Sequence, residues 1–289
     1  MNMDLPGTSR ARTRLLLLVL LVPMAAVNLL AFIVPVVRLG MISFLESRSG
    51  GVLTDTFTLA NYADFFTDHF SYQLVWNSLL MAFIVTLGTL ICAYPIALFL
   101  HRVGPRWRNL LFVVTVSPLL VSSVVRTYGW MVILGNSGLI NGLLQGIGLT
   151  EAPVRLMNNA FGVYVGMIEI LIPYMALALI AGFGRLDAVY EEAAATLGAN
   201  PFVRFRRIVF PLTMPGVLLG CLLCFVLAIS SFITPKLLGG GRVFLLATEI
   251  YDQAVVQLEW TRAAATSVIV LAIFGLALAL YSRLSQRYE

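Results

Sequence analysis

Stretches of about twenty apolar residues recur along this 289-residue chain, and that recurrence leaves few folds open. In hydrocarbon every backbone N–H and C=O must find a partner inside the protein, so spans of this length are helices. Composition agrees: 60% of the residues are hydrophobic, 11% are charged, and the mean hydropathy is +0.92. Soluble domains carry about 25% charged residues. The chain therefore reads as an all-α, polytopic membrane protein with six transmembrane helices. The expected spans are residues 15–37, 72–100, 109–134, 160–183, 212–235 and 262–281, with Pro95 inside the second and kinks expected at Pro23, Pro35, Pro118, Pro173 and Pro215. Residues 1–14 and 285–289 are expected to be tails on one side, and 15–284 a single membrane domain. The first span follows Arg10, Arg12 and Arg14 as a signal peptide would, but it is too long and lacks a small-residue cleavage site, so it reads as uncleaved.

Charge sets the expected orientation. Arg102, Arg106, Arg108, Arg185, Arg204, Arg206, Arg207, Arg283 and Arg287 fall on the side of the N-terminal arginines. Arg38, Arg48, Arg155, Lys236 and Arg242 fall on the other, with Arg126 and Arg262 near span ends. By the positive-inside rule the N-terminal side is cytoplasmic. The net charge of +5 thus reports topology, and no nucleic-acid partner is expected. Among the opposite-side loops, 38–71 contains a turn signal at Ser49-Gly50-Gly51 and a short surface helix beginning at Leu59, 136–159 is rich in glycine, and 236–261 carries Glu249, Asp252 and Glu259. The last three meet basic groups on a partner, repel anionic solutes, or form a plain solvated face.

The segment 186–216, LDAVYEEAAATLGANPFVRFRRIVFPLTMPG, is the longest polar stretch between two apolar spans. Asp187 can cap a helix whose first turns hold Glu191 and Glu192, charges that suit the dipole. Leu186, Tyr190, Ala193 and Leu197 make an apolar stripe at helical spacing, and Gly198 ends it. Asn200-Pro201 starts a second helix, cap followed by proline. Phe202, Phe205 and Val209 share a face of it. Two short helices joined at a glycine bend are predicted, just outside the membrane.

These residues resemble the signature loop of ABC importer permeases: Glu-Ala-Ala, three residues, Gly, nine residues, Ile, one residue, Leu-Pro. Glu192, Ala193, Ala194, Gly198, Ile208 and Pro211 match it, and Phe210 replaces the Leu. The resemblance implies a cytoplasmic coupling loop (184–211) seated in a cleft of a partner ATPase. It extends through Asn77-Ser-Leu-Leu-Met-Ala, Tyr94-Pro-Ile-Ala, Arg126-Thr-Tyr, Gly138-Leu-Ile-Asn, Pro211-Leu-Thr-Met-Pro-Gly and Gly220-Cys-Leu-Leu to the spermidine/putrescine-type permease subunits. For those subunits it implies an inner-membrane assembly of two related permeases, an ATPase dimer and a periplasmic binding protein that delivers a small polar or cationic solute. A lone amphipathic helix on the lipid surface is the alternative for the loop.

No covalent chemistry is expected of the chain itself. Gly239-Gly240-Gly241 lacks the Lys-Ser/Thr of a phosphate-binding loop. Cys92, Cys221 and Cys224 lie in apolar spans at no zinc spacing, so neither a cofactor nor a metal is expected. Glu169 sits near the middle of the fourth span. Facing lipid would cost it about 3 kcal/mol, so it should face the interior, either lining a path that attracts an ammonium group or hydrogen-bonding between helices. Arg126 marks the outer mouth or an inter-subunit contact, or else snorkels to the interface. Trp76, Tyr128 and Trp130 either guide a cation by their faces or anchor the interface. A secondary transporter independent of ATP is the alternative function; it would favour inverted repeats and paired intramembrane charges.

Overall fold

The protein, a computed structural model, is described for residues 10–48, 52–184 and 186–286. The Ser49-Gly50-Gly51 turn, Arg185, Arg287 and the first nine residues lie outside them. The architecture is helical, with one small hairpin. Helix α1 (Arg10–Ser43) leads into strands β1 (Leu45–Arg48) and β2 (Val52–Phe57), then α2 (Ala60–Thr67) and α3 (His69–Arg102). The antiparallel hairpin, in register Leu45 to Phe57, departs from the all-helical expectation. It is pinned locally. Phe44 stacks on Phe57 and packs on Tyr62, and the Asn61 amide donates to the Ser43 and Leu45 carbonyls. The short helix expected from Leu59 is α2.

The expected third span is not one helix. It is α4 (Pro105–Val116), a 3₁₀ turn (Ser117–Leu120) and α5 (Ser123–Leu134), followed by α6 (Leu139–Gly146), and the two halves meet at 96°. The reason is local. Pro118 lies in the 3₁₀ turn, Val121 is extended, and the Ser122 hydroxyl accepts from the Val124 N–H to start a new helix. Elsewhere prolines do not interrupt: α1, α3, α7 (Ala160–Phe183) and α10 (Phe210–Ser230) continue past Pro23, Pro35, Pro95, Pro173 and Pro215. Among the described residues five helices are long and apolar enough to cross a membrane, six if the bent pair is one span. The last is α13 (Trp260–Ser285).

Helix α7 is the most enclosed span, flanked by α3 and α10. Because lipid is as apolar as any side chain, close packing rather than water exclusion holds such helices together. Glycine permits it here: a Cβ on Gly182 would lie 2.7 Å from the Gly216 Cα. Helix α1 leans on α13 and leaves residues such as Val27, Leu30 and Phe32 exposed. The loops thicken into structure. Buried Asn141 holds 136–159 by bonds to Gly135 and both backbone groups of Val154. The loop 236–261 folds into α11 (Ile233–Gly239), α12 (Leu246–Tyr251) and a π turn (Asp252–Val256), with α11 packed on α5 and α7.

Candidate functional site

Two clusters emerge, one at the end of the bundle that carries the 186–216 loop and one among α5, α7 and α11. In the loop, the Asp187 carboxylate accepts from the Val189 N–H at 3.1 Å and starts α8 (Ala188–Thr196). Gly198 stops it at φ +80°. There the Gly198 N–H bonds Ala195 O and the Ala199 N–H bonds Ala194 O, both at 3.0 Å, so orphan carbonyls of the last turn are satisfied. Asn200 caps the restart through the Val203 N–H at 2.8 Å, and Pro201 opens α9 (Pro201–Arg204). The second helix is not separate, however. A π turn (Phe205–Val209) joins α9 to α10, so residues 201–230 form one continuous rod. Pro211 cannot donate to the Arg207 carbonyl, and the chain widens to the i→i+5 pattern immediately before it.

The two glutamates separate. Glu191 turns inward and accepts from Arg102 at the end of α3, 2.7 Å. Glu192 is exposed, with no ion-pair partner among the described residues. The alanines separate as well: Ala193 is exposed, whereas Ala194 is turned into its own chain. Pro211 is exposed and Ile208 half-buried. Of the predicted stripe, Leu186 is buried while Tyr190 and Leu197 are exposed, Leu197 at 87%. Phe202 leaves the face predicted for it, exposed at 69%, while Val209 is buried and Phe205 is partly so. The bend therefore presents Val189, Tyr190, Ala193, Leu197 and Phe202 outward around Glu192. An apolar patch beside an exposed carboxylate is the composition of an interaction surface.

Past the bend, the start of the 201–230 rod packs on α3 and α7. The Tyr94 ring packs edge-on to Phe183 and Phe205 and touches Phe210, and its hydroxyl shares a 2.9 Å hydrogen bond with Thr213. His101 stacks on Phe183. One aromatic cluster thus joins α3, α7 and the 201–230 rod, and α8 packs on the π turn that contributes Phe205 to it. Nothing in the local sequence pattern points to it, because its members are spread over residues 94–213.

The second cluster centres on Glu169. Arg126 Nη1 donates to Glu169 Oε1 at 3.1 Å and Trp130 Nε1 donates to Oε2 at 3.2 Å. The side chains of Arg126 and Glu169 are 12% and 31% exposed. Arg126 therefore does not snorkel. It lies inside the bundle, and its buried Nε has no acceptor among the described residues. Below, the Thr127 and Thr234 hydroxyls share a buried 2.9 Å bond that fastens α11 to α5. Tyr128 and Trp76 are exposed and are not brought to Glu169. Trp130, read from sequence as a span-end residue, is the aromatic that joins it.

A third group lies in the loop after α10. Glu249 accepts from the Gln253 amide at 3.0 Å. Burial pushes its carboxyl above the usual range, the Gln253 bond opposes this, and nearby Asp252, Glu259 and Asp68 add to the rise.

Comparison with known proteins places this architecture. Residues 93–289 match the family described as binding-protein-dependent transport system inner membrane component. The chain is 36% identical over 242 residues to the spermidine/putrescine transport system permease protein PotB of Haemophilus influenzae, covering 84% of each chain. It is 35% identical over 244 residues to PotB of Escherichia coli K12, covering 84% of this chain and 88% of that one. The inner membrane ABC transporter permease protein YdcU of the same organism is 28% identical over 244 residues, with 80% and 77% covered. Among solved structures, a bacterial ABC transporter importing the acidic polysaccharide alginate superposes with a TM-score of 0.74 at 17% identity over 96% of both chains. The MetNI methionine ABC transporter gives 0.56 at 14% identity over 75% of this chain and 95% of that one.

The chain belongs to the family of binding-protein-dependent transport system inner membrane components. It is a permease subunit of the ABC importer class, a transport subunit rather than an enzyme, and its sequence likeness runs to the spermidine/putrescine-type members.

Proposed function

We propose that this subunit forms half of the translocation path of an ATP-driven importer for a small cationic solute of the polyamine class. A second, related permease completes the path, an ATPase dimer drives it, and a periplasmic binding protein delivers the solute. Both termini and the 186–216 loop face the cytoplasm, as the arginine distribution indicates. The observation that carries the coupling role is the bend at Gly198. It exposes an apolar surface around Glu192, while Glu191 ties α8 to Arg102 of α3 and α8 packs on the π turn whose Phe205 belongs to the Tyr94 cluster. A partner that moves α8 must move α3, α7 and α10 with it. The relatives named for spermidine and putrescine support the solute class.

Within the bundle, Glu169 lines the path. Arg126 and Trp130 hold two of its acceptor positions, and its remaining exposure leaves the carboxylate within reach of a passing ammonium group. Arg126 tempers that attraction, which suits a path through which a cation must leave as well as enter.

Gly198→Asp tests the coupling role. The positive φ disfavours a side chain by about 1–2 kcal/mol, and the added carboxylate lies beside the exposed patch in open space. Expected is loss of uptake and of transport-stimulated ATP hydrolysis in proteoliposomes, with the complex still assembled. Wild-type uptake by that variant would overturn the coupling role. Uptake by the assembled wild-type complex without ATP would overturn the ATP-driven reading in favour of a secondary transporter.

A further inference from the structure

Lys236 is the only lysine in the chain; every other cationic side chain is an arginine. It sits in α11, one turn after Phe232, and pairs with Asp252 at the start of the π turn. Its Nζ also lies 4.3 Å from the centre of the Tyr251 ring, and that ring stacks on Phe232 with centroids 5.1 Å apart. A carboxylate oxygen beside an aromatic face is the chemistry that holds a primary ammonium. Here an ammonium on a four-carbon stem already occupies it. The pair is not sealed: both side chains are about one-third exposed. From the aromatic pair an apolar groove of about 360 Å³ runs between α10, α12 and α13, lined by residues including Ser230, Ile250, Val255 and Phe274. Such a lining accepts methylenes and offers little to a polar backbone.

We propose that Asp252 and Tyr251 form a binding subsite for one ammonium group of a linear alkylamine, whose methylenes lie along this groove, and that Lys236 is a tethered occupant which the solute displaces. The exchange replaces one ammonium–carboxylate contact by another, so little net electrostatic energy is lost when Lys236 leaves. A lysine suits the role better than an arginine, because a compact ammonium makes no bidentate fork with the carboxylate and releases it more readily. The proposal rests on the reading that the solute is a cationic amine and that this loop faces the side from which it arrives.

Two measurements separate the subsite from that reading. In proteoliposomes holding the complete importer, 1,4-diaminobutane uptake gives KM. Asp252→Asn should raise KM about tenfold, the equivalent of one charge-assisted contact. Lys236→Met should lower it about threefold, because the competitor is gone. Lys236→Arg should raise it. An unchanged KM in Lys236→Met together with an unchanged KM in Asp252→Asn overturns the subsite, although uptake by the wild type leaves the solute class standing. The second measurement needs no transport. Reductive methylation of the purified full chain with ¹³C-formaldehyde labels its single lysine and the α-amino group and preserves their charge, and Lys236→Met assigns the lysine signal. The Lys236 methyl resonance should carry a ring-current shift that Tyr251→Leu abolishes. Butylammonium chloride should move it to its solvent position, while equal sodium chloride or 1,4-butanediol should not. If the wild type takes up no diamine but butylammonium still releases Lys236, the solute class fails and the ammonium subsite survives. A resonance that butylammonium does not move, or that salt moves equally, overturns the subsite.

Discussion

The loop at one end of the bundle and the Arg126–Glu169–Trp130 cluster inside it show two ways of placing charge in a membrane protein. In the loop, Glu191 and Glu192 are neighbours in sequence with opposite fates, one tied to Arg102 and one left exposed. Water is close at hand, so the Glu191–Arg102 pair contributes at most about 1 kcal/mol, and α8 is held as well by its packing on α9 and the π turn. Inside the bundle the balance reverses. Arg126 is nearly buried and Glu169 mostly so, and the pair with its Trp130 donor offsets the water they lose there. Position relative to the membrane, more than residue type, decides how much a charge contributes.

The sharpest test of that contrast breaks the interior pair. Arg126→Met should destabilise the complex by about 3 kcal/mol, because it strands Glu169, and thermal unfolding of the purified complex reads this directly. Arg126→Met with Glu169→Gln should cost clearly less than the sum of the two single changes. Additive losses would show that the pair is uncoupled. Glu169→Gln alone also tests the path: unchanged uptake with unchanged stability would remove Glu169 from it.

A smaller effect is expected where helices touch without charge. Gly182→Leu puts a side chain where even a Cβ would lie 2.7 Å from the Gly216 Cα, and should cost about 1–3 kcal/mol by over-packing. Tolerance there, measured by the same melting curve, would mean that α7 and α10 separate easily and that the rigid connection beneath the loop is weaker than argued.

The smallest effect concerns Glu249. Its folded carboxyl titrates above the unfolded value, chiefly through burial. The folded state therefore favours the protonated form, and that stabilisation is complete below the unfolded pKa and lost as pH rises through the folded one. Glu249→Gln should accordingly raise the melting temperature at neutral pH and lose this advantage in acid. An equal gain at all pH values would show that the shift has another origin than its ionisation.

Local patterns were legible because they are enforced locally. The caps at Asp187 and Asn200, the stop at Gly198 and the bounds of α7 depend on neighbours within a turn or two, and the residues themselves carry the signal. The 96° break at Pro118 was visible only as a proline inside an apolar run, since Pro173 and Pro215 sit in similar runs whose helices continue. What separates them is Ser122, which offers a fresh cap just after an extended residue. The fusion of α9 into α10 escaped for the complementary reason. Arginines at 204, 206 and 207 read as a polar boundary, but a π turn lets one rod carry them out of the apolar region.

By itself the sequence determined the number of long apolar stretches, the charge asymmetry along the chain and the bent form of the 186–216 loop. Each of these follows from the spacing of residues near one another. Only the tertiary structure decided that Glu169 meets Arg126 and Trp130, that Tyr94 joins Thr213, Phe183 and Phe205, and that the lone lysine faces Asp252 and Tyr251. Most of these partners lie dozens of residues apart, and even Lys236 reaches Asp252 only across the α11–α12 turn. Packing the spans side by side in a medium without water is what brings them together.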